Sequence, residues 1–292
     1  MKERIPKALK RRRFSRRGAI KVSLAGASAC FADAFLIEPN RLTIRREEIF
    51  MPCLPKTLDG LRVGAMADFH YRPDDDDELV AEAVAAANRE ALDLILMPGD
   101  FVASSPTVIP PLLEHLSLLQ ARHGIFASMG NHDGWHDSRK SLPKQFEKAG
   151  IALPVNHHSL ISVRHETLAV AATDFIWLGR PDPAKTLRGI HDDTPVISLV
   201  HEPDYFDTML RHRRIDLQVS GHTHGGQCRI PGIPYTPVKV RHGEKYIHGS
   251  FESGDSRLFV TRGVGTTGIR VRFACAPELA ILTLRSNPKP TF

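Results

Sequence analysis

The sequence predicts an α/β domain in which a pair of β-sheets is flanked by helices. Three observations support this fold class. Strand-like and helix-like segments alternate from about residue 57 to residue 228, the pattern of sheets whose strands are joined by helices. After residue 228 the chain changes to β-type patterning rich in glycine and proline. The composition, 42% hydrophobic and 25% charged, is that of a globular protein with a sizeable core.

Each element is predicted from its own pattern. In residues 77–92, Leu79, Ala83 and Ala87 recur at helical spacing, and an acidic run at 74–77 suits a solvated helix N-terminus. The strands are short apolar runs bounded by turn residues. Helices are predicted at residues 77–92, 109–122, 142–149 and 205–213. Strands are predicted at residues 61–67, 94–97, 124–129, 168–172, 196–200 and 216–219, then at 238–240, 258–260, 271–273 and 280–284.

The first 37 residues indicate a targeting segment. Residues 1–21 contain ten Lys and Arg against one acid, Glu3, so residues 22–292 carry only about −3 of the chain's formal charge of +6. The paired Arg16 and Arg17, then Lys21 and an uncharged run at 22–32, are typical of a twin-arginine export signal. That run is about 11 residues, whereas a spanning helix needs roughly 20. We therefore expect a signal for the periplasm or cell envelope, or a membrane anchor. A basic, disordered arm is the alternative.

The rest of the chain is predicted to be a linker or edge strand at 38–56 and a single domain at 57–286. Because the domain is mildly acidic, no nucleic acid is expected as a partner, whereas a membrane surface is. The four cysteines have neither metal-site nor redox spacing, and we expect free thiols. They are Cys30, Cys53, Cys228 and Cys275.

Polar side chains follow five of the predicted strands. The carboxyl ends of strands gather at one edge of an α/β sheet, so these residues are expected to converge there. One Asp-x-His pair alone is usually a helix cap or a surface pair, but five clusters in phase with five strands form a specific signal. The residues are Asp68, His70, Asp100, Asn131, His132, His201, His222 and His224.

The chemistry of this set favours metal ions. Carboxylates and neutral imidazoles are ligands for divalent ions of hard and borderline type, and the set contains no thiolate. Seven candidate ligands, the set without His132, exceed the needs of one tetrahedral ion. They suit two ions that share a carboxylate and leave positions open for water and substrate.

The order of these motifs resembles that of the calcineurin-like metallophosphoesterases. Residues 57–286 look like the bacterial exported or membrane-associated phosphodiesterase branch, which includes UDP-2,3-diacylglucosamine hydrolases. The branch resemblance rests on the motifs at residues 201–204, 221–227 and 261–273. It implies a four-layer α/β/β/α sandwich and a hydrolase that cleaves phosphodiester or pyrophosphate bonds. The implied substrate is a phosphoester, including a lipid or nucleotide-lipid of the lipid A pathway.

The resemblance also implies a role for each site residue. Two divalent ions are expected, from among Mn, Fe, Zn and Mg, with Mn favoured. His132 would act on the scissile phosphate, stabilising charge or protonating the leaving oxygen. The implied ligands are Asp68, His70 and His224 for the first ion, Asn131, His201 and His222 for the second, and Asp100 as the bridge.

One position departs from the family pattern. Many members have a second Asp after the Gly-Asp pair to orient the histidine, whereas this chain has Ala103, whose side chain cannot bond an imidazole. This departure keeps open a non-catalytic metal-binding envelope protein, and a phosphomonoesterase is the alternative within the enzyme class. His136, His157 and His158 are predicted to be surface-loop residues.

Overall fold

The computed structural model describes residues 16–134, 140–230 and 240–286, which form two β-sheets with helices on their outer faces. The strands are β1 (Thr43–Phe50), β2 (Leu61–Ala65), β3 (Leu94–Pro98), β4 (Ile125–Ser128), β5 (His157–Val163), β6 (Glu166–Ala172), β7 (Val196–Leu199), β8 (Leu217–Ser220), β9 (Gly249–Ser253), β10 (Ser256–Val260) and β11 (Glu278–Arg285). The helices are α1 (Arg16–Ala32), α2 (Pro73–Arg89), α3 (Ile109–Leu116), α4 (Asn131–Gly134), α5 (Leu142–Lys148), α6 (Pro183–Leu187) and α7 (Phe206–Leu210).

The two sheets contain mostly parallel strands. The first has the order β1-β11-β2-β3-β4, in which only the β11–β2 pair is antiparallel. The second has the order β5-β6-β7-β8-β10-β9, with antiparallel pairing at its two edges. Parallel strands have their carboxyl ends on the same side, so the turns after β2, β3, β4, β7 and β8 can meet.

The two sheets pack face to face. Alternate side chains along each strand point either into the space between the sheets or towards the outer helices. Leu96 of β3 and Val170 of β6 belong to one buried cluster between the sheets. Ile95 points to the other face of β3 and packs in a cluster with residues of α2 and α3. The outer face of the second sheet packs on α6 and α7, as Ala169 and Met209 do. The predicted α/β/β/α sandwich is confirmed.

Several predicted boundaries were wrong. Helix α2 begins at Pro73, and its Asp76 is buried rather than solvated because the carboxylate accepts the N–H of Arg72 at 3.0 Å. Residues 271–273 form no strand and contribute only a bridge between Phe273 and Cys228. The predicted strand at 238–240 lies mostly outside the described residues. Helix α3 ends before the predicted residue 122, and α7 is shorter than predicted.

Three edge strands bear on the predictions, and two of them, β5 and β9, were not predicted. Residues 43–50 form β1, which pairs in parallel with β11 over its whole length, so this part of 38–56 is an edge strand. The strands β5 and β9 were missed because edge strands contain many polar residues. His157 and His158 lie on β5 rather than in a loop, and His136 lies outside the described residues.

The apolar N-terminal segment is longer than expected. Helix α1 continues through a π-helical turn, Asp33–Ile37, and a 3-10 turn, Glu38–Asn40. Together Arg16–Asn40 span 25 residues with a mean hydropathy of 1.6 in the most apolar window, enough by length and composition to cross a membrane. The uncharged run of about 11 residues is therefore one part of a longer helical segment, because the helical turns continue through Asp33.

All four cysteines are free, as predicted.

Candidate metal centre

The eight predicted site residues converge where the carboxyl ends of both sheets meet. Their turns follow β2, β3, β4, β7 and β8, and seven of the eight residues are buried, His132 being half-buried. Five lie in the left-handed region of backbone conformation, which is uncommon for residues other than glycine. Such backbone strain concentrates at functional sites, where the surrounding structure enforces it. These five are Asp68 (φ 53°), His70 (39°), Asp100 (56°), His222 (72°) and His224 (50°).

One carboxylate oxygen lies between two pairs of imidazole nitrogens. Oδ2 of Asp100 is 3.4 Å from Nε2 of His70 and 3.2 Å from Nε2 of His201. On one side, Nε2 of His70 is 2.9 Å from Nε2 of His224. On the other side, Nε2 of His201 is 3.2 Å from Nδ1 of His222. Two neighbouring groups of donors therefore share Asp100.

These donors form compact groups of metal-site size. The ligand atoms of Asp68, His70 and His224 lie within 4.8 Å of one another, as do those of Asp100, His201 and His222. Two nitrogens bound to one ion at roughly 2.1 Å in adjacent octahedral positions would be about 3.0 Å apart. The nitrogen separations in the two imidazole pairs are close to this value.

The electrostatics of the site also fit cations. Burial lowers the pKa of His70 to about 3 and lowers the pKa of His224 well below its ordinary value, so both rings are neutral, the form that binds metals. Burial raises the pKa of Asp68 to about 7. Burial opposes protonation of His201, but the carboxylate of Asp100 still raises its pKa well above the ordinary value. The buried carboxylate of Asp68 thus lacks enough positive charge around it, which a divalent ion would supply.

Asn131 completes the fit. It is buried, and its Oδ1 has no hydrogen-bond partner among the described residues. A buried acceptor without a donor is costly, and an amide oxygen is a suitable ligand for a divalent ion.

His132 is oriented by the backbone of Ala103. Nδ1 of His132 lies 2.9 Å from the carbonyl oxygen of Ala103, to which it can donate a hydrogen bond. The backbone carbonyl of Ala103 thus takes the place of the missing side-chain carboxylate as the group that orients this ring. The ring also meets His70 edge-on, with centroids 4.4 Å apart.

Sequence reasoning missed three supporting residues. The buried carboxylate of Asp133 accepts backbone N–H groups from 100–102 and from Gly130, at 2.8–3.2 Å, and so joins the turns after β3 and β4. Oε1 of the buried Glu202 accepts the N–H groups of Ile176 and Trp177, both at 2.9 Å. In the sequence, Asp133 directly follows His132 and Glu202 directly follows His201. This adjacency to predicted site residues was the signal that could have identified them.

Arg272 is the third supporting residue. Its fully buried guanidinium donates to the carbonyls of Arg262, Gly263, Gly265 and Cys275. The loop that it holds packs on the turn after β2: Gly265 donates its N–H to the carbonyl of Asp68 at 2.8 Å. A Cβ on Gly265 would lie 1.8 Å from the carbonyl oxygen of Phe69, so this glycine permits a close backbone approach.

A cavity of about 330 Å³ lies over the cluster. Its lining includes site residues together with four residues from other segments: Trp177, Val240, Thr267 and Gly268. A second cavity, of about 350 Å³, lies beside β1 and β9 and contains none of the candidate ligands.

Comparisons with known proteins agree with this geometry. Residues 61–226, which contain all eight site residues, match the family described as calcineurin-like phosphoesterase. The chain is similar to the uncharacterized metallophosphoesterase YkuE of Bacillus subtilis (strain 168), at 29% identity over 96% of this chain and 99% of the relative. It is similar to phosphodiesterase YaeI of Escherichia coli (strain K12), at 29% identity over 94% of this chain and 99% of the relative. A relative from Danio rerio, named transmembrane protein with metallophosphoesterase domain, is 27% identical over 82% of this chain and 56% of its own length.

Proposed function

Because the chain belongs to the calcineurin-like phosphoesterase family, we propose that it is a dinuclear metal-dependent hydrolase of phosphodiester or pyrophosphate bonds. The observation that carries this proposal is the position of Oδ2 of Asp100 between two pairs of imidazole nitrogens. Two ions on either side of one carboxylate would use these donors, and such a pair suits in-line displacement at phosphorus.

The ligand assignment follows from the two groups of donors. The first ion would be held by Asp68, His70 and His224, and the second by His201, His222 and the amide oxygen of Asn131. Asp100 would be shared. The carboxylate and imidazole set suits Mn²⁺, which we favour over Fe, Zn and Mg.

The residues of the chain divide the chemistry among them. When bound, the ions supply Lewis-acid activation of the phosphoryl group and of the attacking water. His132 lines the same cavity, and the carbonyl of Ala103 orients its ring through Nδ1. It would donate a hydrogen bond or a proton to the phosphate or the leaving oxygen. The half-buried Trp177 narrows the cavity on another side.

The proposed substrate is a phosphodiester or pyrophosphate with a lipid part, of which a UDP-2,3-diacylglucosamine-like molecule is one case. The name of the relative YaeI, a phosphodiesterase, supports the diester class. The exposed apolar helix α1 supports a substrate found at a membrane.

We expect lipid-bearing diesters to be cleaved at least tenfold faster than phosphomonoesters. The measurement is a side-by-side rate comparison, with added Mn²⁺, on a UDP-linked diacyl sugar, a glycerophosphodiester and a phosphomonoester. Metal-stripped protein is the control. A tenfold preference for the monoester would refute the lipid-diester assignment while leaving the dinuclear hydrolase in place. Absence of turnover on all three, and on bis(p-nitrophenyl) phosphate, would favour the non-catalytic alternative.

We also propose that α1 acts as a twin-arginine export signal or as an anchor in the cell envelope. Changing both Arg16 and Arg17 to Lys keeps the charge but should leave the protein in the cytoplasm, because the export receptor reads the arginine pair. Cell fractionation with immunoblotting measures this. Changing Lys21 to Arg is the matched control, and normal export of the Lys–Lys variant would contradict the signal assignment.

A further inference from the structure

The N-terminal helical segment is attached to the domain beside the catalytic cavity. The carbonyl of Ala34 accepts the N–H of Arg272 at 3.0 Å. The carboxylate of Glu38, itself buried, accepts the backbone N–H groups of residues 274–275. Asn40 accepts a hydrogen bond from the guanidinium of Arg270. Since Gly268, two residues before Arg270, lines the cavity, one short stretch joins the attachment point to the cavity wall.

Two large apolar side chains lie exposed next to residues of the cavity wall. Leu178 is 75% exposed and follows Trp177, while Ile269 is 71% exposed and follows Gly268. Leu178 also has a φ of 69°, an unfavourable conformation for a leucine. The backbone N–H groups of Ile176 and Trp177 donate to the carboxylate of Glu202 and hold this turn. Leu178 is therefore kept in solvent at a cost in backbone conformational energy.

The N-terminal segment also exposes large apolar side chains. Phe31, Leu36 and Ile37 are 64%, 71% and 54% exposed, and they lie close in sequence to the attachment residues Ala34 and Glu38. A single exposed leucine carries little information. Exposed apolar residues next to the catalytic cavity, together with an attached helical segment able to cross a membrane, point instead to a lipid surface.

We propose that the mouth of the catalytic cavity faces the lipid bilayer in which α1 is anchored, and that Leu178 and Ile269 insert into that bilayer. This deepens the proposed function and rests on it. The cavity of about 330 Å³ is near the lower end of the range for ligand sites, roughly 300–1,000 Å³. It can hold a phosphodiester headgroup while the acyl chains stay in the membrane. The substrate class is therefore a membrane phospholipid or glycolipid reached without extraction from the bilayer.

The test compares one leaving group in two settings. The full-length, Mn²⁺-loaded protein is reconstituted into phosphatidylcholine–phosphatidylglycerol vesicles. Rates of p-nitrophenol release are measured for the p-nitrophenyl ester of dioleoyl phosphatidic acid in the same vesicles and for bis(p-nitrophenyl) phosphate in the water. The double variant Leu178→Asp, Ile269→Asp should lose at least tenfold on the embedded ester and stay within twofold on the soluble one.

The matched control is Leu118→Asp. Leu118 is 62% exposed, and its carbonyl accepts a hydrogen bond from Asn88 in the last turn of α2. That turn precedes the start of β3, whereas Asp100 follows the other end of the strand. This variant should keep both rates and its metal content. Equal rates of the double variant and the wild type on the embedded ester would overturn the proposal.

A second measurement does not depend on turnover. In a Trp135→Phe background, the fluorescence of Trp177 should be quenched at least twofold by phosphatidylcholine brominated near its carbonyl groups. The Leu178→Asp, Ile269→Asp substitutions should reverse most of that quenching. Absence of quenching would overturn the bilayer contact even if the enzyme is active, and quenching without turnover on either ester would refute the proposed function alone.

Discussion

Replacing Asp100 by Asn is expected to lower the affinity for both ions and to reduce kcat/KM by on the order of 10³-fold or more, since the ions supply several kcal/mol of transition-state stabilisation. The amide of Asn has nearly the same size as the carboxylate of Asp. Its oxygen can still accept the N–H of His132, which in the wild type lies 2.9 Å from Oδ1 of Asp100. What disappears is the negative charge beside both His70 and His201. Elemental analysis and a Mn²⁺ titration measure the loss.

Two further variants separate the ions. His70→Ala should chiefly remove one ion, because Nε2 of His70 lies with the ligand atoms of Asp68 and His224 and beside the shared carboxylate. Asp193→Asn is the matched control, since Asp193 is 95% exposed at its side chain and lies outside the clusters. A well-loaded wild type with one metal per chain, together with full activity of His201→Ala and Asn131→Ala, would contradict the two-ion arrangement.

The second large effect is expected at His132. Replacing it by Ala should lower kcat by on the order of 10²- to 10⁴-fold while the metal content stays unchanged, the effect of losing a group that acts on the transition state. Steady-state kinetics and elemental analysis on the same preparation measure this. His158→Ala is the matched control, because Nδ1 of His158 makes a similar contact, 2.8 Å from the carbonyl oxygen of Thr186, on β5.

The leaving group distinguishes two roles for His132. If it protonates the leaving oxygen, the loss in His132→Ala should be smaller for a p-nitrophenyl ester than for an alkyl ester, since p-nitrophenolate needs less protonation. An equal loss for both would indicate charge stabilisation on the phosphate instead. Loss of metal in this variant would show that His132 is a ligand, as its closeness to His70 and Asp100 also permits.

The sequence could not predict features that depend on backbone atoms or on a neighbouring strand or loop. Every residue has the same carbonyl group, so no sequence pattern could indicate that the oxygen of Ala103 reaches His132. The edge strand β5 and the irregular segment at 271–273 were misjudged for a related reason. Their conformations depend on which strand or loop lies beside them, and local hydrophobic pattern does not record that neighbour.

The layered α/β class and the set of converging residues could be predicted from the amino-acid sequence, because side-chain identity and strand periodicity are properties of the sequence. Asp68, Asp100 and His201 each follow an apolar run, and parallel strands bring such ends to one edge. Two relations are visible only in the folded protein: one oxygen of Asp100 lies between two imidazole pairs, and the segment after α1 is attached beside the cavity mouth. They join residues 30 or more positions apart, and they depend on how two sheets pack rather than on any local preference.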